Sequence, residues 1–178
     1  MRTIKKIIRI IIISILLVSA VFIKNGYELY QQALIETPIV EKVESIKAKD
    51  NYTYLDEIPE IYKKAVIAVE DNRFYAHGGI DLFAIIRAVY SDIKAMAPVE
   101  GGSTLTQQFA KNAYFTQEKK LTRKIAEVFM AFAIEEELEK DEILELYINT
   151  CYYGDGYYSI KEACKRIFSK RFDGNDRL

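Results

Sequence analysis

Residues 68–79 read AVEDNRFYAHGG, and this stretch decides how the chain is understood. Upstream of it, Ile61, Ala65, Val66 and Val69 recur at helical spacing, with Pro59 where a first helical turn tolerates proline. The periodicity predicts a helix from about Ile58 to Val69 that runs directly into Glu70-Asp71, seven residues before His77, the one histidine of the chain. Glu70 therefore sits at the end of an apolar stripe. A carboxylate in that position is either desolvated and chemically tuned or turned outward to water.

Working outward, 178 residues with 50% hydrophobic content can bury one sizeable core, and one globular domain is expected. Arg2, Lys5, Lys6, Arg9 and Lys24 are the charged residues of the first 24, which leaves 20 basic against 26 acidic residues in 25–178. Such a mildly acidic body argues against a nucleic-acid surface. Residues 7–23 are mostly apolar, with Arg9 as their one charge. Helical, they would extend roughly 26 Å, just short of a hydrocarbon core of about 30 Å unless Arg9 and Lys24 snorkel. A membrane anchor is favoured over a cleaved signal, because Val21, Phe22 and Ile23 carry the apolar run past the cleavage-like Val18-Ser19-Ala20. The preceding basic residues place the tail in the cytoplasm and residues 25–178 outside, and either reading exports the body. The expected division is 1–24 as tail and anchor, 25–57 as a polar stalk with a short strand near Tyr52–Leu55, and 58–178 as a helical domain.

Asp81 is suited to cap a helix with Leu82, Phe83, Ile85, Ile86, Val89, Tyr90 and Ile93 on its inner side, which Met96 to Gly102 then breaks. Thr104 and Gln107 fit a capping box that opens a helix through about Tyr114. Another helix is expected from about Lys119 to Glu139 with Leu121, Ile125, Val128, Phe129 and Phe132 inward, a shorter one from Asp141 to Asn149, a turn at Gly154-Asp155-Gly156, and a last helix over about 159–169. Glu135-Glu136-Glu137 reads as a solvated face. Cys151 and Cys164 read as two buried small side chains rather than a disulfide, and neither supports metal ligation. His77 reads as a structural hydrogen-bonder and Asp71 as a local partner for Arg73. Tyr152, Tyr153, Tyr157 and Tyr158 either pack at the core margin or bind sugar or lipid.

The chemistry concentrates at Lys119, Lys120, Arg123 and Lys124, four cations within six residues, with Glu127 one turn after Arg123. Cations at a helix start oppose its dipole, so the arrangement calls for an anion, and phosphate suits it. Residues 102–108, with their hydroxyls and two carboxamides, and Lys111 add to that reading.

Five ordered stretches resemble the signature of the peptidoglycan glycosyltransferases, glycosyltransferase family 51, found in class A penicillin-binding proteins and in monofunctional membrane-anchored enzymes. Residues 70–79 are similar to the family's EDxxFxxHxG, residues 102–112 to its GxSTxTQQxxKN, residues 123–127 to RKxxE, residues 140–149 to KxxILExYLN, and residues 153–156 to the turn that follows. Together they span about residues 58–172. Ser159 stands where the family usually has glycine and Cys164 where it has alanine, and the domain is expected to be truncated at its C-terminus.

The resemblance implies a mainly α, lysozyme-like domain behind one N-terminal transmembrane helix. It also implies an inverting hexosyltransferase that polymerises lipid II into β-1,4-linked glycan with release of undecaprenyl pyrophosphate, at the outer face of the cell membrane, in cell-wall biogenesis. Glu70 would be the catalytic base and Glu127 the second essential acid. Ser103, Thr104, Gln107, Gln108, Lys111, Asn112, Lys120, Arg123 and Lys124 would bind substrate and pyrophosphate. A divalent cation, magnesium or manganese, is the one cofactor the resemblance leaves room for. Partners would be lipid II, the growing lipid-linked strand, the membrane and other wall-synthesis proteins. Two rival functions remain open at this point, a wall hydrolase or lytic transglycosylase on the same fold and a non-catalytic lipid II-binding scaffold.

Overall fold

The computed structural model describes residues 2–99, 101–115 and 120–165. The expected end of the last helix, Lys119 and the residues beyond 165 lie outside the described residues. Seven helices form the described fold: α1 (Arg2–Glu36), α2 (Ile39–Lys47), α3 (Glu60–Glu70), α4 (Leu82–Ala95), α5 (Leu105–Tyr114), α6 (Leu121–Glu137) and α7 (Lys140–Thr150). A further helical stretch begins at residue 160. Short 3-10 turns occupy Leu55–Glu57 and Phe74–Ala76. The chain is mainly α, with no strand among the described residues.

The first difference from expectation is the reach of the N-terminal helix. Thr3–Glu36 is the stretch among the described residues long and apolar enough to cross a membrane. Instead of giving way to a stalk, α1 continues to Glu36, and its later turns pack along α6. There Tyr27 stands edge-on to Phe129 at 5.2 Å. A Cβ on Gly26 would come within 2.7 Å of the Ile125 Cβ and 3.0 Å of the Thr122 carbonyl, so only glycine permits this approach. After α1, Ile39, Val43 and Ile46 of α2 enter the hydrophobic core, so the expected stalk region supplies core residues.

The core is otherwise built where α5, α6 and α7 meet, from Leu105, Phe109, Met130, Ile134, Ile143, Leu144 and Ile148, with Phe74 closing one end. The expected strand at Tyr52–Leu55 is absent for a specific reason. The Asn149 carboxamide does what a neighbouring strand would do: its Oδ1 accepts from the Thr53 amide at 2.9 Å and its Nδ2 donates to the Thr53 carbonyl at 2.8 Å. One side chain satisfies one extended residue, and no ladder forms.

Two helices present a different face from the one expected. In α3, Ile61 and Val69 are 77% and 80% exposed; Val66 packs on the core as expected, but with Tyr62 and Ile67 beside it. In α4, Ala88 is buried and Ala84 and Ser91 are half-buried, whereas the bulky side chains point out: Phe83 is 68% and Ile93 72% exposed. In α6, which is covered by α1 on one side and α5 on the other, the core line is Ala126, Glu127, Met130, Ala131 and Ile134; Leu121 and Phe132 are exposed. Glu135 is no solvated residue. It accepts from Thr106 Oγ1 and from Lys140 Nζ, the latter at 2.8 Å. Cys164 is exposed and Cys151 half-buried, both as free thiols.

Candidate active site

The AVEDNRFYAHGG stretch leaves α3 and wraps the N-termini of α4 and α5. Asp71 is buried because two elements need its oxygens. Oδ2 accepts from the Leu105 amide at the start of α5 at 3.0 Å, and Oδ1 meets His77 Nε2 at 2.8 Å. His77 Nδ1 lies 2.6 Å from the Gly78 carbonyl, so both ring nitrogens are engaged in structure, as expected. Arg73 does not pair with Asp71. Its Nε lies 3.4 Å from Asp81 Oδ2 and its guanidinium stacks 4.4 Å from the Phe83 ring. Asp81 caps α4, accepting from the Phe83 and Ala84 amides. Burial opposes its charge, but those two amides and the Arg73 guanidinium prevail and hold its carboxyl below the ordinary carboxylate range.

Thr104 forms the expected capping box: its hydroxyl accepts from the Gln107 amide at 3.1 Å, and Gln107 Oε1 accepts from the Thr104 amide at 3.0 Å. The same hydroxyl donates to the Gly79 carbonyl at 2.8 Å. Gly79 is obligatory here, since a Cβ would lie 2.9 Å from the Phe132 amide nitrogen on α6. Thr104 and Gln107 are thus committed to holding the wall of the site together.

A cavity of about 780 Å³ opens above these helix ends. Glu70, Ser103, Gln108, Lys111, Lys124 and Glu127 line it, together with Thr104 and Gln107. Glu127 is 1% exposed and is held between two cations: Arg123 Nη1 at 2.5 Å and Lys124 Nζ at 3.0 Å. Lys124 also donates to Ser103 Oγ at 2.7 Å, which joins the α6 cations to the loop before α5. A second cavity of about 510 Å³ is lined by Asn112, Tyr147, Cys151, Tyr152 and Tyr158. Glu70, Gln108 and Lys111 line both, so Glu70 stands on the divide.

The structure therefore gathers most of the expected site residues but not all. Arg123 lines neither cavity and sits behind Glu127; Lys120 is exposed at the start of α6 and lines neither as well. Glu70 is exposed rather than desolvated, because α3 turns its Ile61–Val69 side outward and carries its last residue with it. Arg87 and Asp81 belong to the first cavity and were not anticipated. Arg87 had a legible signal, as the sole charge among the apolar residues 82–91. Tyr147 and Cys151 had none, since both sit in an apolar-looking helix end.

Among the described residues, the groups that fit a metal ion by position are Asp71, His77 and Asp81, whose ligating atoms lie within 4.8 Å of one another. Their donor sets do not suit one. Asp71 spends both oxygens on Leu105 and His77, His77 spends both nitrogens, and Asp81 is occupied as a helix cap. At Glu127 the charge is already met by two cations. The cluster is a joint between two helix N-termini, not a metal centre.

A family profile described as Transglycosylase matches residues 37–174. "Penicillin-binding protein 1F" of Bacillus subtilis is 49% identical over 116 residues, covering 65% of this chain and 16% of that protein. "Monofunctional glycosyltransferase" of Staphylococcus saprophyticus is 40% identical over 136 residues, covering 76% of this chain and 50% of that protein. "Penicillin-binding protein 1A" of Neisseria flavescens is 45% identical over 119 residues, covering 67% and 15%. The chain thus spans about half the length of its monofunctional relative and about a sixth of the penicillin-binding proteins. With a helical fold, a two-part cleft and a profile match across most of its length, the chain belongs to the transglycosylase family.

Proposed function

We propose that this protein is a peptidoglycan glycosyltransferase that polymerises lipid II into β-1,4-linked glycan at a membrane surface and releases undecaprenyl pyrophosphate. The observation that carries the reading is the place of Glu70, shared by a cation-walled cavity and an aromatic-walled one. A single acid on the divide between two cavities fits the transfer of one bound sugar chain to another.

In this reading Glu70 takes the proton from the acceptor 4-hydroxyl as that oxygen attacks the donor anomeric carbon. The bond from that carbon to the pyrophosphate oxygen breaks with inversion. The departing diphosphate is stabilised by Lys111 and Lys124, with Arg87 on the same wall. Glu127 holds Lys124 in place, and Arg123 shields and supports Glu127 from behind. Lys120 would act in electrostatic attraction rather than contact. A diphosphate is a good leaving group, so cations serve where a hydrolase would need a strong acid; this favours the transferase over the hydrolase.

The apolar outer side of α4, with Phe83, Ile86, Val89 and Ile93 exposed, and the exposed apolar turns of α1 place lipid-seeking surface on the domain as well as on the anchor. A lipid-linked substrate would enter from that side, with the domain on the outer face of the membrane.

The test uses the full chain in detergent with labelled lipid II. Polymer is expected, and Glu70→Gln is expected to slow its formation by at least about a hundredfold. An undiminished rate in that variant would falsify the base assignment. Cleavage of preformed glycan would show a hydrolase, and binding without turnover a scaffold.

A further inference from the structure

Resting on the reading of Glu70 as the base, we infer that Gln108 is a positioning residue for the Glu70 carboxylate, its amide oriented by Tyr147 and Cys151. Glu70 is the last residue of α3 and its side chain is exposed, so packing does not fix its rotamer. A hydrogen bond restrains it: Gln108 Nε2 donates to Glu70 Oε2 at 2.8 Å. Gln108 comes from α5, whose N-terminus is fixed by the capping box and Asp71, so the donor stands on a rigid element.

An amide can hold a carboxylate only if its nitrogen faces it. What sets that direction is behind Gln108, where the Tyr147 hydroxyl lies 3.4 Å from Oε1 as its donor. Cys151 Sγ lies 3.6 Å from the same hydroxyl and donates to its oxygen. With that lone pair engaged, the tyrosine proton is free to point at Gln108. Tyr147 is buried, and burial first, then the nearby Cys151 and Glu70, push its hydroxyl well above the ordinary tyrosine range. It stays protonated and serves as a donor. Thiol, hydroxyl, amide and carboxylate then form one directional chain, each link polarising the next. Oε2 is occupied by Gln108, which leaves Oε1 to receive the acceptor proton. The long Tyr147–Gln108 contact is one that substrate would tighten.

This differs from a substrate-contact role for Gln108 in what the kinetics read. With the full chain and lipid II, Gln108→Ala is expected to lower kcat about tenfold while KM stays unchanged. Tyr147→Phe is expected to lower kcat about threefold, and to add nothing in the Gln108→Ala background. Cys151→Ala should follow Tyr147→Phe in direction, and Cys151→Ser, which keeps a donor, should recover part of the lost kcat. That pair also decides the matter should Tyr147→Phe fold poorly by thermal melting. A raised KM with unchanged kcat in Gln108→Ala, or a fully multiplicative double variant, overturns the positioning role. If Glu70→Gln is inactive while these variants are unaffected, the positioning alone falls; if Glu70→Gln is active, the base reading falls with it.

Discussion

Helices α4 and α5 both begin beside the Asp71–His77–Asp81 joint, each with a side chain capping its first turn, and each has a strongly apolar side. They use that side in opposite ways. Helix α5 puts Leu105 and Phe109 into the core, and its opposite edge carries Gln108 and Lys111 to the cavities. Helix α4 turns small residues inward, Ala84 and Ala88, and leaves Phe83, Ile86 and Ile93 outside. Hydrophobic periodicity reports that two faces of a helix differ. It does not report whether the apolar face meets protein or is left exposed, and here the two helices divide between those outcomes.

Substituting matched residues tests this contrast. The largest difference is expected from Phe109→Ala, which should cost about 3–5 kcal/mol in denaturant unfolding because it empties a fully buried site. Phe83→Ala should stay within about 0.5 kcal/mol in the same measurement; an equal loss would mean that α4 is a core helix after all. On vesicles the order should reverse. Phe83→Lys with Ile86→Lys is expected to weaken binding of the protein lacking its apolar N-terminal turns at least about tenfold, read by co-sedimentation. Unchanged binding would remove α4 from the membrane account.

Smaller effects are expected at the caps. Thr104→Ala should destabilise by about 1–2 kcal/mol, since it removes both the cap of α5 and the donor to Gly79. On the α4 side, Asp81 has its carboxyl held low, so its contribution is present at neutral pH and is lost as pH falls through its folded value, below the ordinary 3.8. An acid titration of Asp81→Asn should therefore lack the low-pH part of the wild-type stability loss.

The same contrast explains what could be read in advance. The capping box at Thr104 and Gln107, the bounds of α5 and the structural use of His77 were legible because each is a local device, complete within a few residues. The inward sides of α3 and α4 were not, because they depend on which neighbour arrives from elsewhere in the chain. Glu70 followed α3 outward for that reason. The Tyr52–Leu55 stretch looked like a strand because it is extended, and the residue that completes its hydrogen bonds, Asn149, lies 96 positions away. The cations before Glu127 were legible as a cluster, but the helix turns them apart: Lys124 faces the cavity, Arg123 lies behind, and Lys120 lines neither cavity.

The tight passage of Gly26 over Ile125 has a mechanical consequence. Because α1 runs unbroken from Arg2 to Glu36, there is no hinge between its apolar turns and the contact with α6. On the reading that those turns cross a bilayer, tilt imposed by hydrocarbon thickness is delivered as a lever stroke to the helix bearing Lys124 and Glu127. Lipid composition would then act as a throttle on turnover, and a bulkier side chain at position 26 would change its setting.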